Sequence, residues 1–161
     1  MNQIRELLTE KHKLSLEMIK NLGIGIDIIE VSRFRKKKYE ENKNFYKKIF
    51  VKSELNYCLK FKKKPFKINE GFYKLIFSKA EIRYCLKFKN PYERFAGKFA
   101  LKEALIKSID RKTRFSEIET SHLKSKPIVR IKKSRGKYNF LASLSHENDF
   151  AIAVVISERI N

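Results

Sequence analysis

Acidic residues are scarce in this chain. Eighteen Asp and Glu face 38 Lys and Arg, which leaves a formal net charge of +20. An excess of that size favours a polyanionic partner: nucleic acid, a membrane surface, a phosphate-rich cofactor or an acidic protein. A solvated, lysine-rich surface is the plainer reading. Cysteine is rarer still. Only Cys58 and Cys85 occur, without the spacing of a zinc site, and His12 and His122 are isolated. So few thiols point to an intracellular, reducing compartment. Long apolar runs are missing too. None approaches the ~18 residues needed to span a bilayer, so no membrane partner is expected. Residues 1–22 lack the unbroken apolar core of a signal peptide, and Glu6, Glu10 and Glu17 do not suit an acid-poor transit peptide. They read as an N-terminal extension ahead of a single domain at 23–161. Nothing in the spacing around Ser143 or Ser145 supplies a nucleophile–base pair.

An internal duplication organises the middle of the chain. FYKKIFVKSELNYCLKFK at 45–62 recurs as FYKLIFSKAEIRYCLKFK at 72–89, identical at 13 of 18 positions. Two copies are too few for a solenoid, so this is a local duplication inside one domain. Cys58 and Cys85 hold the same repeat position, which makes the pair a product of copying rather than a disulfide. Each copy reads as helical. Ser53–Glu54 can start the first helix, and Ser78 and Glu81 form an S-x-x-E capping box for the second. The link KKKPFKINEG at 62–71, with Pro65 and Gly71, reads as an exposed loop.

Elsewhere the pattern mixes strands and helices. Gly23–Ile29 is short and β-branched, hence a strand, and Glu30–Tyr39 turns helical and basic. Pro91 suits the first position of a long helix reaching Ser108. Strands are expected at Phe115–Thr120, Ile128–Ile131, Asn139–Ser145 and Phe150–Ser157. Turns are expected at Ser134–Lys137 and His146–Asp149, the second closing a hairpin. This order argues α+β, with a largely antiparallel sheet packed against the long helix. On that helix Phe95, Phe99, Glu103 and Lys107 share one stripe. Ala96, Ala100 and Ala104, with Gly97 beside them, form a small-residue stripe that lets another backbone come close. Together with the C-terminal apolar hairpin it offers a surface for subunit packing. Arg94, Lys98 and Lys102 form a basic stripe.

Two carboxylates stand in apolar or cationic settings. They are Asp27 in GIGID and Glu103 in RFAGKFALKEALIKS. A carboxylate so placed needs a cation or a hydrogen-bond network to offset its desolvation. The pair suggests a magnesium site in a protein that handles phosphates. Each also has a plainer reading. Asp27 can cap the helix that follows. Glu103 can pair with Lys107 on the surface, worth about 0.3–0.5 kcal/mol. The GIG fragment lacks the further glycine of a dinucleotide fingerprint, although its two glycines allow close backbone approach to a ligand. His146, in SLSHE, reads locally as a polar turn residue.

Taken in order, GIGIDIIEVSRF, IFSKAEIRYCLKFKNPYERFAGKFALKEALIKSI, KPIVRI and ASLSHENDFAIAVVI resemble the holo-acyl-carrier-protein synthases, the small bacterial and plastid 4′-phosphopantetheinyl transferases. The resemblance covers roughly 23–157. It implies the 4′-phosphopantetheinyl transferase fold. It also implies transfer of the phosphopantetheine arm of coenzyme A to a serine of apo-acyl carrier protein, with release of adenosine 3′,5′-bisphosphate. By position, Asp27 and Glu103 match the metal-binding carboxylates. Lys107 matches a catalytic lysine near the coenzyme A phosphates. His146 matches a histidine at the nucleotide end, and Arg94 joins it as a coenzyme-A-binding candidate. The basic helix from Arg33 matches a docking surface for the acidic carrier, and the resemblance implies a homotrimer with sites shared between subunits. Such an enzyme would work in the cytoplasm, or in a plastid (apicoplast-like) if a longer leader precedes the chain. Two places depart from the pattern: Ile106 replaces a small residue, and Asp110–Arg111–Lys112 replaces a glycine-rich turn that in the family helps shape the adenine pocket. The alternative function is a basic nucleic-acid-binding module, carried by charge and interleaved aromatics alone.

Overall fold

Strand β1 (Leu22–Glu30) sets the plan of the molecule. Its residues alternate with the period of two that a pleated strand imposes. Leu22, Ile24, Ile26 and Ile28 are exposed on one face, while Gly25 and Ile29 are buried on the other. The computed structural model describes residues 20–35, 73–132, 134 and 136–160. Residues 1–19 of the N-terminal extension, the first repeat copy with Cys58, the 62–71 link and Lys36–Lys38 lie outside these residues, and Leu22, placed in the extension from sequence, opens β1.

Three antiparallel strands form the main sheet, in the order β1–β5–β4. Strand β5 (Phe150–Arg159) pairs with β1 from Leu22↔Glu158 to Glu30↔Phe150. Its other edge pairs with β4 (Tyr138–Glu147), from Tyr138↔Arg159 to Glu147↔Phe150. The hairpin turn is tighter than the sequence suggested. Only Asn148 and Asp149 lie outside the strands, and Asn148 has φ 50°. Two-residue hairpins need such left-handed residues, and asparagine adopts that conformation cheaply. His146 therefore belongs to the strand and faces inward.

A second sheet pairs β2 (Ile118–Leu123) with β3 (Lys126–Ile131). The strand expected from Phe115 starts late, because Phe115–Glu117 forms a 3₁₀ turn. That turn puts the Phe115 ring parallel to Phe99, 5.2 Å away and tilted by 20°. Burying an aromatic ring outweighs the local strand preference. The helix expected from Glu30 begins as α1 (Ser32–Arg35), since β1 continues to Glu30.

Helix α2 (Lys79–Cys85) opens with the expected capping box. Glu81 N–H donates to Ser78 Oγ at 3.2 Å, and Ser78 N–H donates to Glu81 Oε2 at 2.7 Å. Helix α3 (Pro91–Ser108) has Pro91 in its first turn and runs through the centre of the fold. Ala96, Ala100, Leu101, Ala104 and Leu105 are fully buried. The main sheet covers one side, and α1, α2 and the β2–β3 hairpin cover the rest. A cluster of Phe34, Tyr73, Phe77, Phe95 and Phe99 fills the space between α1, the helical stretch 73–76 with the bend after it, and α3. Among the described residues no helix is long and apolar enough to cross a membrane.

The two glycines of GIG serve packing against α3. A Cβ on Gly25 would lie 1.8 Å from the Ala104 carbonyl oxygen, and one on Gly23 1.9 Å from that of Ser108. The alanine stripe thus admits β1 of the same chain and leaves no surface there for a second subunit. Gly97 serves β4 in the same way, since a Cβ there would lie 2.8 Å from His146 Nε2. Overpacking of this kind costs about 1–3 kcal/mol. Gly25→Ala is therefore expected to lower unfolding free energy by about 2 kcal/mol or more in chemical denaturation. An unchanged midpoint would mean that β1 can move off α3 without loss.

Candidate functional site

Asp27 lies on the inner face of β1, one pleat beyond Gly25. It therefore meets α3 where that helix presents Glu103 and Lys107. Lys107 Nζ donates to Asp27 Oδ1 at 2.8 Å and to the Ile26 carbonyl oxygen at 3.0 Å. The lysine side chain is 50% exposed and the aspartate 14%, so the carboxylate is largely covered while the ammonium stays open to solvent. The simple helical pairing of Glu103 with Lys107 is not what forms. Lys107 bonds across to β1, because the close strand puts Asp27 within its reach.

Glu103 is half-buried beside these two groups. Burial and the neighbouring Asp27 charge push its carboxyl above the usual range, and Lys107 only partly opposes them. Two carboxylates against one ammonium leave a local negative excess that a further cation would offset. The described residues hold no group of three or more His, Cys, Asp or Glu side chains able to cage a metal. Two hard oxygen donors do fit magnesium, which commonly takes one or two carboxylates and completes its shell with substrate phosphates and water.

His146 and Arg94 occupy the other end of α3. His146 Nε2 lies 3.1 Å from the Glu93 carbonyl oxygen, which can only accept, so that nitrogen carries a proton. The Arg94 guanidinium lies 4.4 Å from the centroid of the Phe88 ring. Nine residues separate Arg94 from Glu103, which is about 14 Å along a helix axis. The structure brings Asp27, Glu103 and Lys107 together and sets Arg94 and His146 apart from them.

The basic stripe divides by depth. Arg94 is half-buried, but Lys98 and Lys102 are 3% and 0% exposed. Lys98 Nζ donates to Thr120 O and Oγ1, both at 3.1 Å. Lys102 Nζ reaches Ile76 O at 2.7 Å, Ile118 O at 2.8 Å, Glu81 Oε2 at 2.9 Å and Phe115 O at 3.3 Å. Burial pulls the Lys102 ammonium below its usual range, against the favourable charge of Glu81. Burial also acts to raise Glu81, but Lys102 and the hydrogen bonds from Thr120 and Ser78 outweigh it and hold the carboxyl below its usual range. Sequence reasoning found Glu81 as a cap and missed it as a buried counter-ion. The available signal was a lysine flanked on all helical faces by Phe, Ala and Leu.

Three other details complete the surroundings. His122 stacks on Tyr84 at 5.3 Å, and its Nδ1 is the one buried side-chain polar atom without a partner among the described residues. Burial, Lys98 and Arg94 push His122 below its usual range, toward the neutral form. Cys85 is a free, buried thiol whose desolvation pushes it up to about 12, which leaves it inert. After α3, where the resemblance calls for a glycine-rich turn, Arg111 donates to Ser134 Oγ at 2.5 Å and to Glu117 Oε2 at 3.3 Å.

Comparison with known proteins places the chain in a family. A sequence profile described as the 4′-phosphopantetheinyl transferase superfamily matches residues 59–155. The chain is 35% identical over 147 residues to the holo-acyl-carrier-protein synthase of Halothermothrix orenii, across 84% of this chain and 96% of that protein. It is 33% identical over 144 residues to the protein of the same name from Chlamydia trachomatis, across 84% and 98% respectively. Among solved structures it resembles the Helicobacter pylori holo-acyl-carrier-protein synthase in complex with coenzyme A. There the TM-score is 0.54 and the identity 30%, across 84% of this chain and 99% of that one. The Thermotoga maritima synthase gives a TM-score of 0.56 at 28% identity, across 86% of this chain and 64% of that one.

The raised Glu103 carboxyl has a consequence for stability. Unfolded, a glutamate titrates near 4.3. Folded, Glu103 holds its proton more tightly, so wild type should lose stability as pH rises from the unfolded value to the raised folded one. Glu103→Gln cannot ionise and escapes that loss. Denaturation of both proteins at pH 4 and pH 7, without divalent cations, should show the variant gaining on wild type at the higher pH. Equal pH shifts in the two proteins would show that Glu103 carries no net penalty.

Proposed function

Because the chain belongs to the holo-acyl-carrier-protein synthases of the 4′-phosphopantetheinyl transferase superfamily, we propose that Asp27, Glu103 and Lys107 form its catalytic centre and that its transfer requires magnesium. As an enzyme of that family it moves phosphopantetheine from coenzyme A to apo-acyl carrier protein. The observation that supports this assignment of the centre is the meeting of two carboxylates and one half-exposed lysine where β1 crosses α3.

Asp27 and Glu103 are the residues that would hold magnesium. When bound, the ion supplies charge compensation at the coenzyme A pyrophosphate. The chain's own residues account for the remaining chemistry. The carrier serine oxygen attacks the β-phosphorus, and the bond to the departing adenosine 3′,5′-bisphosphate breaks. A carboxylate beside the attacking hydroxyl can accept its proton. Lys107 has a flexible stem and a half-exposed ammonium, so it can turn from Asp27 toward the phosphates and stabilise charge developing on the leaving group. No covalent enzyme intermediate is needed, because phosphoryl transfer depends on positioning and electrostatics. Arg94, on the first turn of α3, and His146, on β4 beside it, would receive the nucleotide end of coenzyme A. Arg33 begins the basic surface that would meet the acidic carrier, and the +20 charge would speed that encounter.

A subunit interface belongs to the same proposal. Leu22, Ile24, Ile26 and Ile28 of β1, Ile152 and Ile156 of β5 and Leu141 of β4 are exposed together on the outer face of the main sheet. Contiguous apolar patches of this kind mark interaction sites. Three copies meeting through this face would make the homotrimer, with sites at the subunit boundaries.

Two outcomes are expected. Incubation with coenzyme A, magnesium and apo-acyl carrier protein should add one phosphopantetheine to the carrier by intact mass. Asp27→Asn or Glu103→Gln should lower that turnover by about 10²-fold or more while the circular dichroism spectrum is kept. Near-normal turnover in both variants at limiting magnesium would rule the centre out. Light scattering should give a trimer mass, and Ile24→Glu with Ile26→Glu should give a monomer. A fully active wild-type monomer would defeat the proposed assembly.

A further inference from the structure

We propose that Lys102, buried one residue before Glu103, is a positioning residue that sets the rotation of α3 and so holds Glu103 opposite Asp27. The inference rests on the catalytic centre proposed above and adds a role for a residue that touches no substrate.

Lys102 is fully buried and does not face the site. Its ammonium is enclosed by four oxygens, from Ile76, Glu81, Phe115 and Ile118. Those oxygens belong to the helical stretch 73–76, α2, the 3₁₀ turn and β2. Glu81 is just as constrained. Its Oε1 accepts from Thr120 N–H at 2.8 Å and from Thr120 Oγ1 at 2.6 Å, while Oε2 accepts from Ser78 N–H at 2.7 Å. Lys102 cannot move without breaking bonds in several elements at once.

Stability alone does not account for such a pair. Replacing a buried ion pair with apolar side chains of similar volume is often neutral or stabilising, whereas removing one partner leaves an uncompensated buried charge. What directional bonds add is a single orientation. On the opposite side of α3, Gly23 and Gly25 bring backbone against the Ala104 and Ser108 carbonyl oxygens, which sets a distance. The side-chain bonds on that side, Lys107 to Asp27 and Ile26, Ser157 to the Ser108 carbonyl and His146 to that of Glu93, lie at the two ends of the helix, whereas Lys102 ties its buried middle to several elements at once.

Neighbouring helix residues point about 100° apart. Lys102 therefore points at α2 and β2 when Glu103 points toward β1. Turning α3 by about 10° would move a carboxylate about 6 Å from the axis by about 1 Å. A displacement of that size at a reacting centre can cost about 10²-fold in rate.

The decisive variant is Glu81→Gln with Lys102→Met. It removes both charges together, and glutamine keeps the third position of a capping box. Thr120→Val is the second variant; it loosens Glu81 without altering charge and leaves Lys98 bonded to the Thr120 carbonyl alone. For each full-length protein the thermal midpoint, kcat, the KM for coenzyme A and the dissociation constant for Mn2+ are measured. The double variant leaves the Ile76 and Ile118 carbonyl oxygens without the Lys102 donor, so its midpoint should fall while the protein stays folded, and its KM should stay within about twofold. Its kcat should fall about 10- to 100-fold and Mn2+ should bind about 10-fold more weakly. Thr120→Val should lower kcat several-fold without unfolding. Wild-type kcat and Mn2+ affinity in either folded variant would overturn the positioning role while leaving the catalytic centre standing. Full turnover in Asp27→Asn would instead overturn the centre, and the positioning role with it.

Discussion

The backbone of β1 lies against the backbone of α3 with almost nothing between them. Two glycines on the strand and small residues on the helix make that contact, and the rest of the site follows from it. A wider spacing would put Asp27 out of reach of Lys107. At this spacing the strand carries one carboxylate to the helix that carries the other, and a lysine on the last helical turn can bridge to the strand. The core is built around the same contact. Helix α3 is covered by sheet on one side and by aromatic rings and a buried ion pair on the other.

Cations in this protein serve two distinct purposes. Lys98 and Lys102 are dry and fully committed to backbone and side-chain oxygens. Lys107 keeps half of its surface in water and bonds to two partners among the described residues. Burial strongly reduces an ammonium's freedom, because each lost water must be replaced by a protein acceptor. The half-exposed Lys107 accordingly keeps the freedom to change partners. The three residues lie on one helix within ten positions and differ chiefly in depth.

Much of this was legible in the sequence. The S-x-x-E cap, the proline-led helix and the closing hairpin follow from local rules of backbone hydrogen bonding, and all three appear as expected. Asp27, Glu103 and Lys107 could be named from motif resemblance, and the fold brings them together. What could not be read was set by tertiary packing. The glycines of GIG carry no mark saying whether a ligand or a helix will approach them. Lys98 and Lys102 look like surface cations unless the elements around α3 are known. Strand β2 starts late because Phe115 is drawn onto Phe99, a contact between residues of two different elements.

The pairing of β1 with β5 has a kinetic meaning. Ile26 hydrogen-bonds into the ladder beside Val154, more than a hundred residues later, so the first described strand finds its neighbour in the last. Contacts so distant in sequence make folding slow, because the chain must close a large loop before they form. Loop entropy grows only logarithmically, by about 0.6 kcal/mol per doubling, so a 27-residue duplication within that loop adds little. During synthesis Asp27 leaves the ribosome early but its strand has no partner until the C-terminal residues emerge. The meeting of Asp27 with Glu103 and Lys107 is thus among the last parts of the molecule to take shape, and a chain released a dozen residues short would lack the strand that holds it.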